Sequence, residues 1–119
     1  MASVNLDISS RLDITCRKND TFSLALNIKD ASGNALDLTS YTFKMEVRTS
    51  TDDEGSPVIA SANVTATADD SGNLNLTITA TNMNVSAGTY VYDLQATLGD
   101  VVTTWLYGTF KVNEDVTIT

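Results

Sequence analysis

Apolar side chains in this chain return at every second residue, and that spacing excludes most folds before anything else is weighed. Tyr90, Tyr92, Leu94, Ala96 and Leu98 alternate with Val91, Asp93, Gln95 and Thr97. Successive side chains on a β-strand point to opposite faces, so a period of two marks a half-buried strand. The same alternation runs through Phe22, Leu24, Leu26 and Ile28, through Tyr41, Phe43, Met45 and Val47, and through Leu74, Leu76 and Ile78. Gly99-Asp100 is a turn signal followed at once by a second β-rich run, Val101 to Val112, so the pair reads as a hairpin. No stretch keeps a helical period beyond one turn, and none offers a crossover helix. The pattern predicts an all-β, antiparallel sandwich of about 7–8 strands in a single domain spanning residues 1–119.

Between these runs the turn chemistry is explicit. Asp30-Ala-Ser-Gly-Asn34 and Asp69-Asp-Ser-Gly-Asn73 are two turns of one type, each with a glycine able to take positive φ. Residues 49–57 form the longest polar break. The Ala/Val/Thr-rich stretch 58–68 has a weak apolar face and predicts an edge strand or one under light cover. Residues 81–88 form a corner in which Met83 and Val85 are expected to plug the core. At the N-terminus Val4, Leu6 and Ile8 alternate, then Ser9-Ser10-Arg11 interrupts before Leu12, Ile14 and Cys16. Residues 1–10 are either an edge strand of the chain's own sheet or an arm whose Val4, Leu6 and Ile8 pair with a neighbouring chain.

Charge and cysteine content narrow the partners. The chain carries 15 acidic and 7 basic residues, for a net charge of -8, and lacks the basic face that nucleic acid or an anionic membrane would require. A single cysteine, Cys16, cannot form an internal disulfide and reads as a small buried hydrophobe. No basic segment with a following apolar run opens the sequence, and no stretch reaches the roughly 20 apolar residues of a membrane span. Synthesis and folding in a cytoplasm are the expectation.

The last run poses a question of parity. Phe110 and Val112 belong inside and Thr109 and Lys111 outside, yet a strict two-residue turn at Gly99-Asp100 would set Leu94 beside Trp105. Keeping Tyr90, Tyr92 and Leu94 inside together with Leu106 and Phe110 requires one extra residue, an irregularity expected within residues 98–104. Trp105 and Tyr107 would then stand on an outward face near Val91, either a candidate protein-contact surface or a face that residues 50–60 or the N-terminal arm cover within the same chain.

No catalytic or cofactor chemistry emerges. The chain has no histidine, which removes Ser-His-Asp and Cys-His arrangements and histidine metal sites. Glycines stand singly, so no phosphate cradle is present, and Asp69-Asp70 lies in a turn rather than across a cleft. No enzyme, no metal and no cofactor are expected.

Tyr90, just past a corner and two positions before Tyr92, is placed like the tyrosine corner of immunoglobulin-like folds, with no cysteine pair and with Phe43 or Met45 where a core Trp would stand. Residues 12–24, 36–48, 88–94 and 108–117 (Leu-Asp-Ile-Thr-Cys-Arg-Lys-Asn-Asp-Thr-Phe-Ser-Leu, Leu-Asp-Leu-Thr-Ser-Tyr-Thr-Phe-Lys-Met-Glu-Val-Arg, Gly-Thr-Tyr-Val-Tyr-Asp-Leu and Gly-Thr-Phe-Lys-Val-Asn-Glu-Asp-Val-Thr) together resemble one family. It is the immunoglobulin-like N-terminal module of tailed-phage baseplate upper proteins, also found in prophage tail and fibre proteins. The resemblance implies a virion structural role: docking a fibre or receptor-binding assembly, with other virion proteins and further copies of itself as partners. Family members carry the module ahead of further domains, so an accessory protein of head, neck or tail is a second expectation. Capsid decoration and a carbohydrate-binding β-sandwich, with aromatics stacking on a glycan, are the alternatives.

Overall fold

The computed structural model describes residues 2–5, 10–30, 32–50 and 57–115, with side chains from residue 11 onward. Its strands are β1 (Ala2–Asn5), β2 (Ser10–Arg11), β3 (Ile14–Arg17), β4 (Phe22–Lys29), β5 (Thr42–Arg48), β6 (Thr65–Ala68), β7 (Asn73–Ile78), β8 (Gly88–Leu98) and β9 (Val101–Asn113). One sheet has the order β1-β4-β7-β6; the other runs β2-β9-β8-β5, with β3 continuing along β9 after β2. The three central pairings, β4 with β7, β5 with β8 and β8 with β9, are antiparallel. The N-terminal strands join in parallel, β1 on β4 and β2 and β3 on β9. The connections β3–β4, β4–β5, β5–β6 and β7–β8 cross between the two facing sheets, and this order defines an immunoglobulin-like β-sandwich.

The alternation seen in the sequence is what closes the two sheets on each other. Leu26 and Ile28 of β4, Leu74, Leu76 and Ile78 of β7, Met45 and Val47 of β5, and Tyr92, Leu94, Leu106, Phe110 and Val112 of the last hairpin share one buried core. Phe22 and Phe110 bridge the sheets with ring centroids 5.4 Å apart. Met83 is fully buried and Val85 packs beside it, so the 81–88 corner does plug one end. No disulfide crosses the core; the position two residues after the corner tyrosine is Tyr92, whose hydroxyl donates to the Leu12 carbonyl at 2.5 Å. The corner itself is present: Tyr90 Oη donates to the Ser86 carbonyl at 2.6 Å.

The stretch 58–68 is only partly strand. Ile59 bridges to Val47, Ser61–Asn63 make a 3-10 turn, and β6 then forms the margin of the first sheet. At the N-terminus the chain serves both sheets. Val4 sits opposite Ile28 within its own chain, which is the edge-strand alternative, whereas Leu6 and Ile8 lie outside the described residues.

The two Asp-x-Ser-Gly-Asn turns are built alike. Asp30 Oδ1 accepts from the backbone N–H of Ser32 and of Asn34, both at 2.9 Å. Asp69 Oδ1 accepts from Ser71 at 2.9 Å and Asn73 at 3.0 Å, with Gly33 and Gly72 at φ 86° and 81°. At Gly72 the turn also docks on β4, since Ile28 N–H donates to the Gly72 carbonyl at 2.7 Å.

These turn carboxylates make stability depend on acidity. Hydrogen bonds from Asn73 and Ser71 hold Asp69 below its ordinary value, those from Thr39 do the same for Asp37, and the Thr109 backbone N–H is the main cause at Asp13. A depressed carboxylate supports the fold fully above its unfolded value of about 3.9 and loses that contribution as pH falls through and below it. A thermal denaturation series is therefore expected to show a melting temperature that falls below about pH 4. Asp69→Ala should lower the neutral-pH value and flatten that acid decline.

Candidate functional site

The last hairpin decides what the outer surface of the second sheet presents. Its turn is strict: Leu98 opposes Val101, Thr97 opposes Val102 and Ala96 opposes Thr103. The register then shifts, because Gln95 opposes Thr104 while Leu94 opposes Leu106, leaving Trp105 as the extra residue. A bulged residue and its neighbour can point to the same side of the sheet. Trp105 and Leu106 do so, with exposures of 4% and 1%.

The expected irregularity thus exists, but at Trp105 rather than within 98–104. The expected outward placement of Trp105 is corrected with it. The indole enters the end of the core, 5.2 Å from Tyr41 and 5.7 Å from Phe43 between ring centroids. The strict turn already gives Trp105 the inward parity of Leu94, and burying it removes roughly 150–250 Å² of aromatic surface from water; the bulge comes only after it, so that Leu106, Phe110 and Val112 also face the core. Tyr107 does face outward, 43% exposed, and Val91 lies on the same face, half-buried.

Around Tyr107 and Val91 the register lays out a grid. Across the four strands β5, β8, β9 and β2, Glu46 opposes Asp93, Asp93 opposes Tyr107, and Tyr107 opposes Arg11. The flanking rows are Arg48, Val91 and Thr109 on one side and Lys44, Gln95 and Thr104 on the other. Together these residues line a trough of about 730 Å³.

Glu46 and Asp93 are directly opposed like charges, an arrangement that costs stability in a sheet. Glu46 is answered by Arg48 at 3.2 Å, and Arg11 by Asp13 at 3.1 Å. No donor among the described residues hydrogen-bonds the Asp93 carboxylate. Partial burial and then Glu46 push its pKa up, against the opposing pull of Arg48 and Lys44.

A second exposed feature lies at the tip of the same hairpin. β5 accompanies β8 only as far as Thr97. Among the described residues, the tip beyond that point carries Leu98, Val101 and Val102 at 43%, 66% and 59% exposure. Large apolar side chains grouped at one place on a surface mark an interaction site more often than scattered ones do.

Reactive chemistry is sparse. Among the described residues no group of three or more Cys, Asp or Glu could hold a metal ion. Cys16 packs at the core margin, its thiol donating to the Lys111 carbonyl at 3.4 Å, and burial pushes it up to about 11, far from a thiolate at neutral pH. No described helix is long and apolar enough to cross a membrane. What the surface can do is donate and accept hydrogen bonds and bury apolar area.

Sequence reasoning placed Tyr107 and Val91 on this face and missed Asp93. The alternation put Asp93 outward, but its confrontation with Glu46 depends on the register between β5 and β8, which no local pattern encodes.

No protein family matches the sequence, and no curated protein does. Solved structures give distant likenesses. One is an endo-fucoidan hydrolase of glycoside hydrolase family 107, with 16% identity over 90% of this chain and a TM-score of 0.48. Another is the N-terminal two-domain immunoglobulin module of a Drosophila receptor protein tyrosine phosphatase, with 16% identity over 90% of this chain and a TM-score of 0.42. A third is the natural killer cell receptor NKp44, with 12% identity over 88% and a TM-score of 0.43. The chain spans 13% of the hydrolase, 47% of the phosphatase module and 98% of NKp44. The class of protein is set by the strand order described above: an immunoglobulin-like β-sandwich domain.

Proposed function

We propose that this protein is a structural subunit of a tailed-phage virion, an adaptor or accessory piece of tail, baseplate or neck that holds fibres or receptor-binding parts through protein–protein contacts. It is made in the host cytoplasm, assembles with other virion proteins and further copies of itself, and catalyses nothing. The observation that carries the reading is the exposed apolar hairpin tip of Leu98, Val101 and Val102, beyond the end of the β5–β8 pairing. The sequence resemblance to baseplate upper modules supplies the setting, and an acidic surface suits a subunit that contacts protein rather than nucleic acid.

Particle imaging with a labelled copy, together with copy number from quantitative mass spectrometry of virions, tests the assignment. A few to a few dozen copies at the tail or neck is the expected result; hundreds on the head lattice would replace it with capsid decoration. The tip has its own test. Val101→Thr with Val102→Thr keeps β-branched residues in an exposed strand, so stability should move by less than about 1 kcal/mol. Burying two hydroxyls without partners in a contact should weaken incorporation into particles by roughly tenfold or more. Unchanged incorporation would remove the tip from the assembly surface.

A further inference from the structure

We infer that the trough over Asp93 is a binding site for a short, neutral, hydroxyl-rich chain, an oligosaccharide, held by the Asp93 carboxylate and the face of Tyr107. The volume, about 730 Å³, lies within the roughly 300–1,000 Å³ range of small-molecule sites. The row from Glu46 to Arg11 crosses four strands, and three interstrand spacings make it about 14 Å long. That is the reach of an oligomer rather than of a single small ion.

Charge chooses among occupants. Among the described residues, Lys44, Arg48 and Arg11 line the trough with Glu46 and Asp93, and Arg48 is closed on Glu46 at 3.2 Å and Arg11 on Asp13 at the rim at 3.1 Å. Among the described lining residues a cationic partner side chain brought to Asp93 would meet Lys44, Arg48 and Arg11 as well as the acids, and an anionic one would meet Glu46 and Asp93. Neither gains enough to offset its own desolvation. A neutral polyol loses no ionic hydration. It can donate adjacent hydroxyls to both oxygens of Asp93 and accept from the Lys44 ammonium and the Gln95 amide.

Tyr107, 43% exposed and directly opposite Asp93, offers a flat apolar surface to the C–H face of a sugar ring. Sugar hydroxyls would replace water as the donors to the Asp93 carboxylate, whose placement opposite Glu46 works against folding. One aromatic platform alone makes the site weak and suited to repeated copies.

The intact chain, fluorescently labelled and displayed on multivalent beads, is applied to an array of neutral and acidic bacterial and plant glycans. Soluble forms of the hits are then titrated by amide-resolved NMR. Binding to neutral oligosaccharides is expected, with shifts grouped at Val91, Asp93, Gln95, Tyr107 and Thr109. Asp93→Asn should weaken it by about tenfold or more, as loss of hydrogen bonds to a charged group does. Tyr107→Ala should weaken it comparably, and Lys29→Ala on the opposite sheet should leave it unchanged.

Asp93→Asn removes a carboxylate whose ionised form the fold disfavours, so it should fold with at least the original melting temperature. No bound glycan, binding only to anionic glycans, or binding indifferent to both trough substitutions would each overturn the inference. So would shifts at Asp93 produced by acetyl-argininamide and by no saccharide, which would make the trough a seat for a protein side chain. Incorporation of Asp93→Asn into particles is read separately, and the hairpin tip, not the trough, governs it.

Discussion

Trp105→Ala is expected to destabilise the domain by about 3–5 kcal/mol, the cost of deleting a large buried aromatic and leaving a cavity. For a chain of this size that corresponds to a fall of roughly 10–20 °C in melting temperature, readable by circular dichroism or scanning calorimetry. The indole closes the end of the core against Tyr41 and Phe43, and none of these three rings has another aromatic to replace it there. The loss should also be visible as added mobility at the hairpin, because the buried indole anchors the bulged residue to the core. Trp105→Phe should recover part of the stability. A Trp105→Ala protein melting within a few degrees of the parent would mean that the indole is not a core residue.

Gly108→Ala is the second large effect. A Cβ built at Gly108 would lie 2.5 Å from the Leu12 carbonyl oxygen and 2.9 Å from Asp13 Oδ1. The obstruction includes backbone, so it cannot swing aside as a side chain end would. Leu12 N–H donates to the Tyr107 carbonyl at 2.9 Å, Thr109 N–H donates to Asp13 Oδ1 at 3.0 Å, and the Tyr92 hydroxyl reaches the Leu12 carbonyl. All three bonds require the segment between β2 and β3 to lie directly over Gly108. A methyl group there should displace that segment, break at least one of the bonds and cost about 2–4 kcal/mol. Faster hydrogen exchange at Leu12 and Thr109, with the β4–β7 amides unchanged in rank, is the expected signature. Unaltered protection at both would show that the contact is slack.

Both predictions fall on positions that explain what the sequence could and could not disclose. Strand existence, the inward parity of β4, β5, β7 and β8, the twin Asp-x-Ser-Gly-Asn turns and the Tyr90 corner were legible because each is local. Side-chain alternation and turn hydrogen bonds need only a few neighbouring residues. The need for an extra residue in the last hairpin was also legible from parity alone. Its position was not, because it depends on the aromatic pocket of Tyr41 and Phe43 holding Trp105 at the parity the strict turn gives it, and that pocket comes from β5 and the residue before it. The approach of Leu12 to Gly108 and the opposition of Glu46 and Asp93 join segments far apart in sequence, so no single window contains them.

The parallel seat of β3 on β9, with Ile14 beside Phe110 and Arg17 beside Asn113, also orders events in time. During synthesis residues 14–17 must wait, unpaired, until nearly a hundred further residues have left the ribosome. The second sheet therefore cannot be finished until β9 emerges, and its completion is limited by closing that long loop.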